Sequence, residues 1–219
     1  MLIGNTNEEK IYNFFVEKGF TISGTCGILG NLHAESACIP FNLQNTGNKK
    51  LSITDEEYTE QIDAGIRNFE DGIGYGLAQW THYLRKRNLL NYANQYKKSI
   101  GDLEMQLNYL IKELKQYGIY DDLRKSVDME NATSIFLTKF EKPASVIGKT
   151  EKQIKNIVDI RTYYAKTIFN RYCEPIDLDL EYLESIGVMN TKEYWKNVSC
   201  SVKYFDVLMH NVAEKIRGK

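Results

Sequence analysis

The sequence predicts a mainly α-helical fold with a short β-hairpin and a small helical module at the C-terminus. Apolar residues recur three and four positions apart along most of the chain, which is the helical period. Several of these stretches begin with a Thr followed three positions later by Glu or Gln, a pattern that resembles a capping box. The glycine-rich stretch GIGYGLAQWT, residues 72–81, interrupts the helical pattern and predicts tight turns or a short hairpin.

The first part of the chain contains three predicted helices. They cover residues 6–18, 23–38 and 54–68, and the first and third begin at a Thr-x-x-Glu pair. Pro40 limits the second helix, because proline cannot continue a helix. Residues 41–51 are polar and rich in Asn and Gly, so they predict a loop.

Four further helices are predicted over residues 81–92, 103–117, 131–140 and 150–168. The second of these has the clearest apolar stripe, with Leu residues that step by four and three. The last one opens at a Thr-x-x-Gln pair, which again resembles a capping box.

Glu174-Pro175 is the predicted domain boundary. It divides the chain into a domain of residues 1–173 and a helical module of residues 174–219. The module is small for an independent core, so it either packs on the first domain or self-associates.

The composition excludes several classes of partner. The net charge of −1 provides no bulk attraction to nucleic acid or to an anionic membrane. No apolar run approaches the length of a membrane span. The first ten residues lack a basic region followed by an apolar core, so we expect no signal peptide.

The cysteines and histidines do not form a recognisable metal motif. No CxxC pair, HExxH motif or EF-hand loop occurs, so we expect neither a metal nor another cofactor. We expect reduced, partly buried thiols, with a Cys26–Cys38 disulfide as the alternative in an extracellular setting. The residues concerned are Cys26, Cys38, Cys173, Cys200, His33, His82 and His210.

Glu35 is the first candidate for a catalytic residue. It shares a helix face with Ile28 and Leu32, and Pro40 places it in or near the last helical turn. The negative end of the helix dipole and the apolar neighbours both favour a neutral carboxyl group. A general acid that protonates a glycosidic oxygen needs that form. The alternative is a solvated glutamate at a helix end.

The glycine-rich stretch supplies the candidate substrate-binding residues Tyr75, Gln79, Trp80 and Thr81. Sugar-binding clefts place aromatic faces against pyranose rings and amides against hydroxyl groups. An ordinary hairpin with a buried Trp is the alternative.

The motifs resemble those of known wall-degrading enzymes. Ala34-Glu35-Ser36 with Gly76-Leu77-Ala78-Gln79 resembles the paired motif of goose-type lysozymes and lytic transglycosylases. The longer pattern resembles the phage tail lysozyme and endolysin family between Ile22 and Tyr172. Its motifs are GNLHAES, GYGLAQWT with Arg85, Phe140-Glu141-Lys142-Pro143, and a late helix with Arg161 and Ala165.

This resemblance implies an α+β lysozyme-like fold, bacterial peptidoglycan as the substrate and Glu35 as the catalytic acid of an N-acetylmuramidase. The third motif of the transglycosylases is missing, which favours hydrolysis. The protein would be made in the host cytoplasm and act at the cell wall, after release by lysis or as part of a phage particle. The C-terminal module resembles modules of clostridial-type wall hydrolases, which implies wall targeting or assembly; a helical cap without a ligand is the alternative.

Glycoside hydrolysis commonly uses a second carboxylate. Asp71 is the first candidate because it lies at the turn that faces the expected cleft, and Asp63 and Glu70 are the alternatives. Gln79, Thr81 or Tyr75 would position a water molecule if a single glutamate suffices.

Several other functions stay open. A lytic transglycosylase or a glucosaminidase would act on the same glycan. A Cys/His peptidase would use Cys26 or Cys38 with His82 to cut wall peptides. A non-catalytic wall-binding or tail protein would keep the fold without the chemistry.

Overall fold

The computed structural model describes residues 2–141, 148–188, 212–213 and 215–218, without the side chains of residues 174–179. The fold is mainly α-helical, as predicted. In chain order the helices are α1 (Asn7–Glu17), α2 (Ile22–Ser36), α3 (Asn45–Leu51), α4 (Asp55–Asp63), α5 (Tyr83–Gln95), α6 (Leu103–Gln116), α7 (Tyr120–Arg124), α8 (Met129–Ile135), a π-helical turn (Phe136–Glu141) and α9 (Glu151–Ser185). Among the described residues, no helix combines the length and apolar character that crossing a membrane requires.

Helix α2 lies at the centre of the fold because small and apolar residues cover almost all of its surface. Helices α1, α7, α8 and α9 and the π-helical turn surround it. Glycines of α2 allow its neighbours to approach closely. A Cβ on Gly27 would lie 2.6 Å from the Cβ of Ala132, and one on Gly30 would lie 2.4 Å from the carbonyl oxygen of Arg161. Glycine is therefore required where α8 and α9 cross α2.

The glycine-rich stretch forms a tight turn in place of the predicted β-hairpin. Tyr75 and Trp80 exchange two backbone hydrogen bonds of 3.2 and 2.9 Å, and only isolated β-bridges occur in the described part of the chain. Gly76 and Gln79 adopt left-handed backbone conformations, with φ of 78° and 46°. The turn closes within four residues, so no length remains for paired strands.

Residues 45–51 form helix α3, whereas the sequence predicted a loop over residues 41–51. Gly47 of this helix is buried, and a Cβ there would lie 2.4 Å from Ile73 and 3.1 Å from Leu43. Packing against the glycine-rich turn therefore stabilises a helix that local propensity does not favour.

Helix α9 is longer than predicted. It continues from Glu151 to Ser185, so the boundary predicted at Glu174-Pro175 falls inside a helix. Gly187, with φ of 73°, follows its end. Residues 189–211 of the predicted module, which include Cys200 and His210, lie outside the described residues, as do Lys142 and Pro143. The role of the module stays a prediction.

Gly30→Ala tests the contact between α2 and α9. We expect the free energy of unfolding to fall by about 1–3 kcal/mol, because the new methyl group overlaps the backbone of α9. Urea denaturation measures the effect. Ala34→Ser adds one atom at an exposed position of the same helix and should cost less than about 1 kcal/mol. Equal costs for the two variants would contradict the close contact.

Candidate active site

A cleft of about 770 Å³ lies between the end of α2 and the glycine-rich turn. Most of the residues that line it are polar. Amide side chains come from Asn42, Gln44, Asn45 and Gln79. Two carboxyl groups come from Glu35 and Glu141, and further polar groups come from Thr46, Thr81, His82 and Arg85. A cleft of this size and polarity suits a hydrophilic ligand with many hydroxyl groups.

Glu35 lies in the last turn of α2, as predicted, and its side chain is 20% exposed. The helix ends at Ser36 because Ala37 and Cys38 adopt left-handed conformations, with φ of 51° and 61°. The Ser36 hydroxyl donates a 2.9 Å hydrogen bond to the carbonyl oxygen of Leu77. This bond ties the end of α2 to the glycine-rich turn and places Glu35 beside it.

Arg161 of α9 connects the carboxyl groups of the cleft. One Nη atom donates to Glu35, and the other donates to Glu141 at 2.6 Å and to the side chain of Asn31 at 3.0 Å. The guanidinium group is 8% exposed. The sequence predicted apolar neighbours for Glu35, and its spacing gave no indication of this buried cation.

Glu141 is the second carboxyl group beside Glu35. It ends the π-helical turn after α8, and its side chain is 4% exposed. Burial raises the pKa of Glu141 well above its ordinary value, the charge of Arg161 opposes this, and the nearby carboxyl group of Glu35 adds to it. Its Oε1 atom is buried and has no hydrogen-bond partner among the described residues.

Gln79 and Thr81 line the opposite side of the cleft, where they were predicted. The amide nitrogen of Gln79 donates to the backbone and side-chain oxygens of Asn42 at 3.1 and 3.0 Å, and to the carbonyl oxygen of Gly76 at 3.1 Å. The Thr81 hydroxyl donates to the carbonyl oxygen of Gln79 at 2.9 Å. Both side chains are therefore held in fixed orientations, with their remaining acceptor atoms unused by these bonds.

Tyr75 and Trp80 are fully buried, so their rings face the protein core instead of the cleft. The hydroxyl groups of Tyr75 and Thr59 lie 2.7 Å apart, and the indole nitrogen of Trp80 donates to Glu113 at 2.7 Å. Neither ring belongs to the lining of the cleft. Trp80 is buried, as in the alternative interpretation of this stretch, in which the tryptophan has no contact with a ligand.

Arg85 joins the glycine-rich wall to the π-helical turn. It donates two hydrogen bonds of 2.9 and 2.8 Å to Glu113, the same carboxylate that Trp80 contacts. Its guanidinium group also lies 4.8 Å from the ring centre of Phe140. This network positions Glu141 relative to the turn.

Asp71 does not line the cleft, in contrast to its predicted position. Its carboxylate accepts hydrogen bonds from Lys86, from Tyr58 at 2.6 Å and from the backbone of Ile73 at 3.0 Å. Burial raises the pKa of Asp71, but the bonds from Lys86 and Tyr58 outweigh this and lower it overall. Lys86 is fully buried, so this ion pair holds the turn in place.

The two alternatives to Asp71 also have other contacts. Asp63 accepts a 2.9 Å hydrogen bond from the backbone of Ile100, and Glu70 forms an exposed ion pair with Arg87 at 3.7 Å. Neither belongs to the lining of the cleft described above. Glu141 is therefore the second carboxyl group that the structure places beside Glu35.

Glu8, His33 and Cys38 form a separate cluster of ligand-type atoms within 4.8 Å of one another. Glu8 accepts hydrogen bonds from Arg171 and, at 3.1 Å, from Tyr172, and it lies 3.4 Å from His33. Burial, and then the charge of Glu8, raises the pKa of Cys38 to about 12. These protein partners account for the cluster, and we assign no metal to it.

The described cysteines are buried thiols that no disulfide joins to one another; they are Cys26, Cys38 and Cys173. Sequence reasoning assigned no role to Glu141, Arg161 or Arg85. All three occur in motifs that carry the family resemblance, which was the signal that could have found them.

Comparison with known proteins gives a family match over most of the chain and a similarity to a phage protein over part of it. The model of the phage tail lysozyme family matches residues 6–172. The chain is also similar to Morphogenesis protein 1 of Bacillus phage B103, with 27% identity over 148 residues. This similarity covers 64% of the chain and 34% of the length of that relative. The chain thus spans about a third of the curated protein that it matches.

Asp71→Asn tests the ion pair that supports the turn. We expect the free energy of unfolding at neutral pH to fall by about 3 kcal/mol, because Lys86 is left buried without its counter-charge. The stabilisation that Asp71 provides is present above its unfolded pKa of about 4, and it is lost as the pH falls through the lower pKa of the folded state. Urea denaturation as a function of pH measures both effects.

A second change provides the control for this variant. Lys86→Met in the Asp71→Asn background removes the buried charge and should restore most of the stability. A double variant as unstable as the single one would show that the ion pair is not the reason for the loss.

Proposed function

Because the chain belongs to the phage tail lysozyme family, we propose that it is a peptidoglycan hydrolase that cleaves the β-1,4 glycan backbone of the bacterial cell wall. The observation that carries this proposal is the half-buried carboxyl group of Glu35 in a polar cleft, opposite the side chains of Gln79 and Thr81. A carboxyl group in this position can reach the oxygen that links two sugar rings. Amide and hydroxyl groups around it can bind the hydroxyl and acetamido groups of the glycan.

Glu35 acts as the general acid in this proposal. It donates a proton to the glycosidic oxygen while the bond from that oxygen to the sugar carbon breaks and positive charge develops on the ring. A water molecule then adds to that carbon. Asp71 is held by Lys86 and Tyr58, so we assign the positioning of this water to Gln79 and Thr81 in place of a second carboxylate.

We infer N-acetylmuramidase specificity from the same family membership. A lytic transglycosylase or a glucosaminidase is the alternative on the same glycan. The relative is named Morphogenesis protein 1, which favours action as part of a phage particle over release at lysis. No partner other than peptidoglycan is needed for this reaction.

The structure gives little support to a Cys/His peptidase. Cys38 is 1% exposed and faces Glu8, whereas His82 lies on the wall of the cleft. The raised pKa of Cys38 keeps its thiol protonated at neutral pH, and a peptidase requires the thiolate. Cys26 is also fully buried.

Glu35→Gln is expected to reduce the release of soluble wall fragments by about a hundredfold or more, because general acid catalysis is lost. The fold should persist, since Arg161 keeps its bonds to Glu141 and Asn31. Turbidity loss of purified wall measures activity, and circular dichroism checks the fold. Glu130→Gln makes the same chemical change at an exposed site of α8 and should leave activity unchanged.

Two results would contradict this proposal. Normal wall digestion by a folded Glu35→Gln variant would favour a non-catalytic wall-binding protein or another catalytic centre. Mass spectrometry of the products tests the specificity, with a new reducing end on muramic acid as the expected result. A reducing end on glucosamine indicates a glucosaminidase, and an anhydro sugar indicates a transglycosylase.

Cys38→Ala tests the peptidase alternative. We expect wall digestion within about twofold of the wild-type rate, because a buried protonated thiol takes no part in the reaction. Cys26→Ala is the matched control at a second buried thiol. Loss of activity in the Cys38 variant alone, with its circular dichroism spectrum unchanged, would favour the peptidase.

A further inference from the structure

Glu141 contacts the proposed catalytic acid from within the protein. We propose that Glu141 is a positioning residue that shares a single proton with Glu35 and holds this proton available for transfer to the substrate. This inference rests on the proposed function, because it assigns the source of the proton that Glu35 donates. Glu141 lines the cleft with a side chain that is only 4% exposed and bound to Arg161, so in this proposal it acts on the glycan through Glu35.

The charges of the cluster require one proton. Two ionised carboxylates and one guanidinium group would leave a net negative charge in a poorly solvated site. One proton on the pair gives a neutral cluster in which Arg161 is matched by one carboxylate.

The unpaired oxygen of Glu141 points to the same conclusion. Its Oε2 atom accepts the 2.6 Å hydrogen bond from Arg161, whereas its Oε1 atom is buried without a donor from the described residues. An ionised carboxylate would leave this oxygen unsatisfied at a considerable cost. A proton on the carboxyl group turns the contact between Glu141 and Glu35 into a hydrogen bond.

The surrounding structure fixes both carboxyl groups. Asn31 accepts a 3.0 Å hydrogen bond from Arg161, so the guanidinium group cannot turn away from the pair. The π-helical turn inserts an extra residue into the helical path, a feature that often occurs at functional sites. Here it ends at Glu141 and delivers that side chain to the cleft.

Glu141 is not placed to activate the attacking water. A base of that kind lies across the sugar ring from the acid, with the two carboxyl groups about 6.5–9.5 Å apart. Glu141 instead binds the same guanidinium group of Arg161 as Glu35 does. In the reaction, Glu35 protonates the leaving oxygen, which keeps the electron pair of the broken bond. The water that adds to the sugar carbon releases a proton, and this proton returns the pair to its starting state.

Other charged groups of the cleft have separate partners. Arg85 is paired with Glu113, and His82 accepts a 3.3 Å hydrogen bond from the backbone of Leu84. His82 lines the same cleft as Glu35, so its contribution to the pH profile has to be separated from that of Glu141. His82→Asn does this, because Asn also serves as a helix N-cap.

Glu141→Gln tests the shared proton. The amide replaces the protonated carboxyl group permanently and donates its hydrogen bond to Glu35, which stabilises the ionised form of the pair. We expect the alkaline limb of the pH profile of kcat/KM, measured on soluble glycan fragments, to move to lower pH by about one unit or more. Activity should recover toward the wild-type value at the acid end, and a purely structural role for Glu141 would not produce that recovery.

Three controls accompany this measurement. Glu130→Gln and His82→Asn should leave the alkaline limb in place, whereas Glu141→Asp keeps an ionisable group and should shift the limb less than Glu141→Gln. An unshifted limb in both Glu141 variants would overturn the proposal. If the variants do not fold, the infrared spectrum of the wild-type protein decides: at neutral pH a buried protonated carboxyl band is expected, and its absence overturns the proposal.

The outcomes also separate this inference from the proposed function. A folded Glu35→Gln variant that still digests the wall contradicts the function as a whole. An inactive Glu35→Gln variant combined with an unchanged pH profile in the Glu141 variants leaves the function in place and removes only the shared proton.

Discussion

The buried contact of Arg161 with Glu35 and Glu141 is the interaction on which the candidate site depends. It exists because α2 and α9 approach each other closely at Gly30, where a larger side chain would meet the backbone of Arg161. The guanidinium group then lies beside the last turn of α2 and compensates negative charge that burial would otherwise disfavour. The packing of two helices and the chemistry of the cleft are therefore parts of the same arrangement.

The glycine-rich turn contributes to the cleft mainly by the shape of its backbone. Polar contacts below the turn fix it from two sides, one through the Asp71–Lys86 ion pair and one through Glu113 with Trp80 and Arg85. Lys86, Glu113 and Trp80 are buried, and their polar side-chain atoms find partners in these contacts. Asp71 and Trp80, which the sequence suggested as site residues, thus support the wall of the cleft. Gln79 and Thr81 face its interior.

This division explains how short motifs can identify a family and still mislead about the site. A family pattern retains any residue whose loss would disturb the cleft, whether it contacts the substrate or supports those that do. Tyr75 and Trp80 belong to the supporting group because they are fully buried. Glu141 appeared only as part of a motif, and its position beside Glu35 depends on a π-helical turn that ordinary helical spacing does not indicate.

The sequence by itself determined the helical class, most helix starts and the position of Glu35 at the end of α2, because capping pairs, apolar periodicity and proline act over a few residues. The tertiary structure alone decided which groups surround Glu35. Arg161 is 126 positions away along the chain, and Glu141 is 20 positions before Arg161. Tertiary packing also decided that residues 45–51 form a helix and that the expected hairpin is only a turn. Contacts between distant segments depend on how the helices pack, and a local pattern carries no record of that packing.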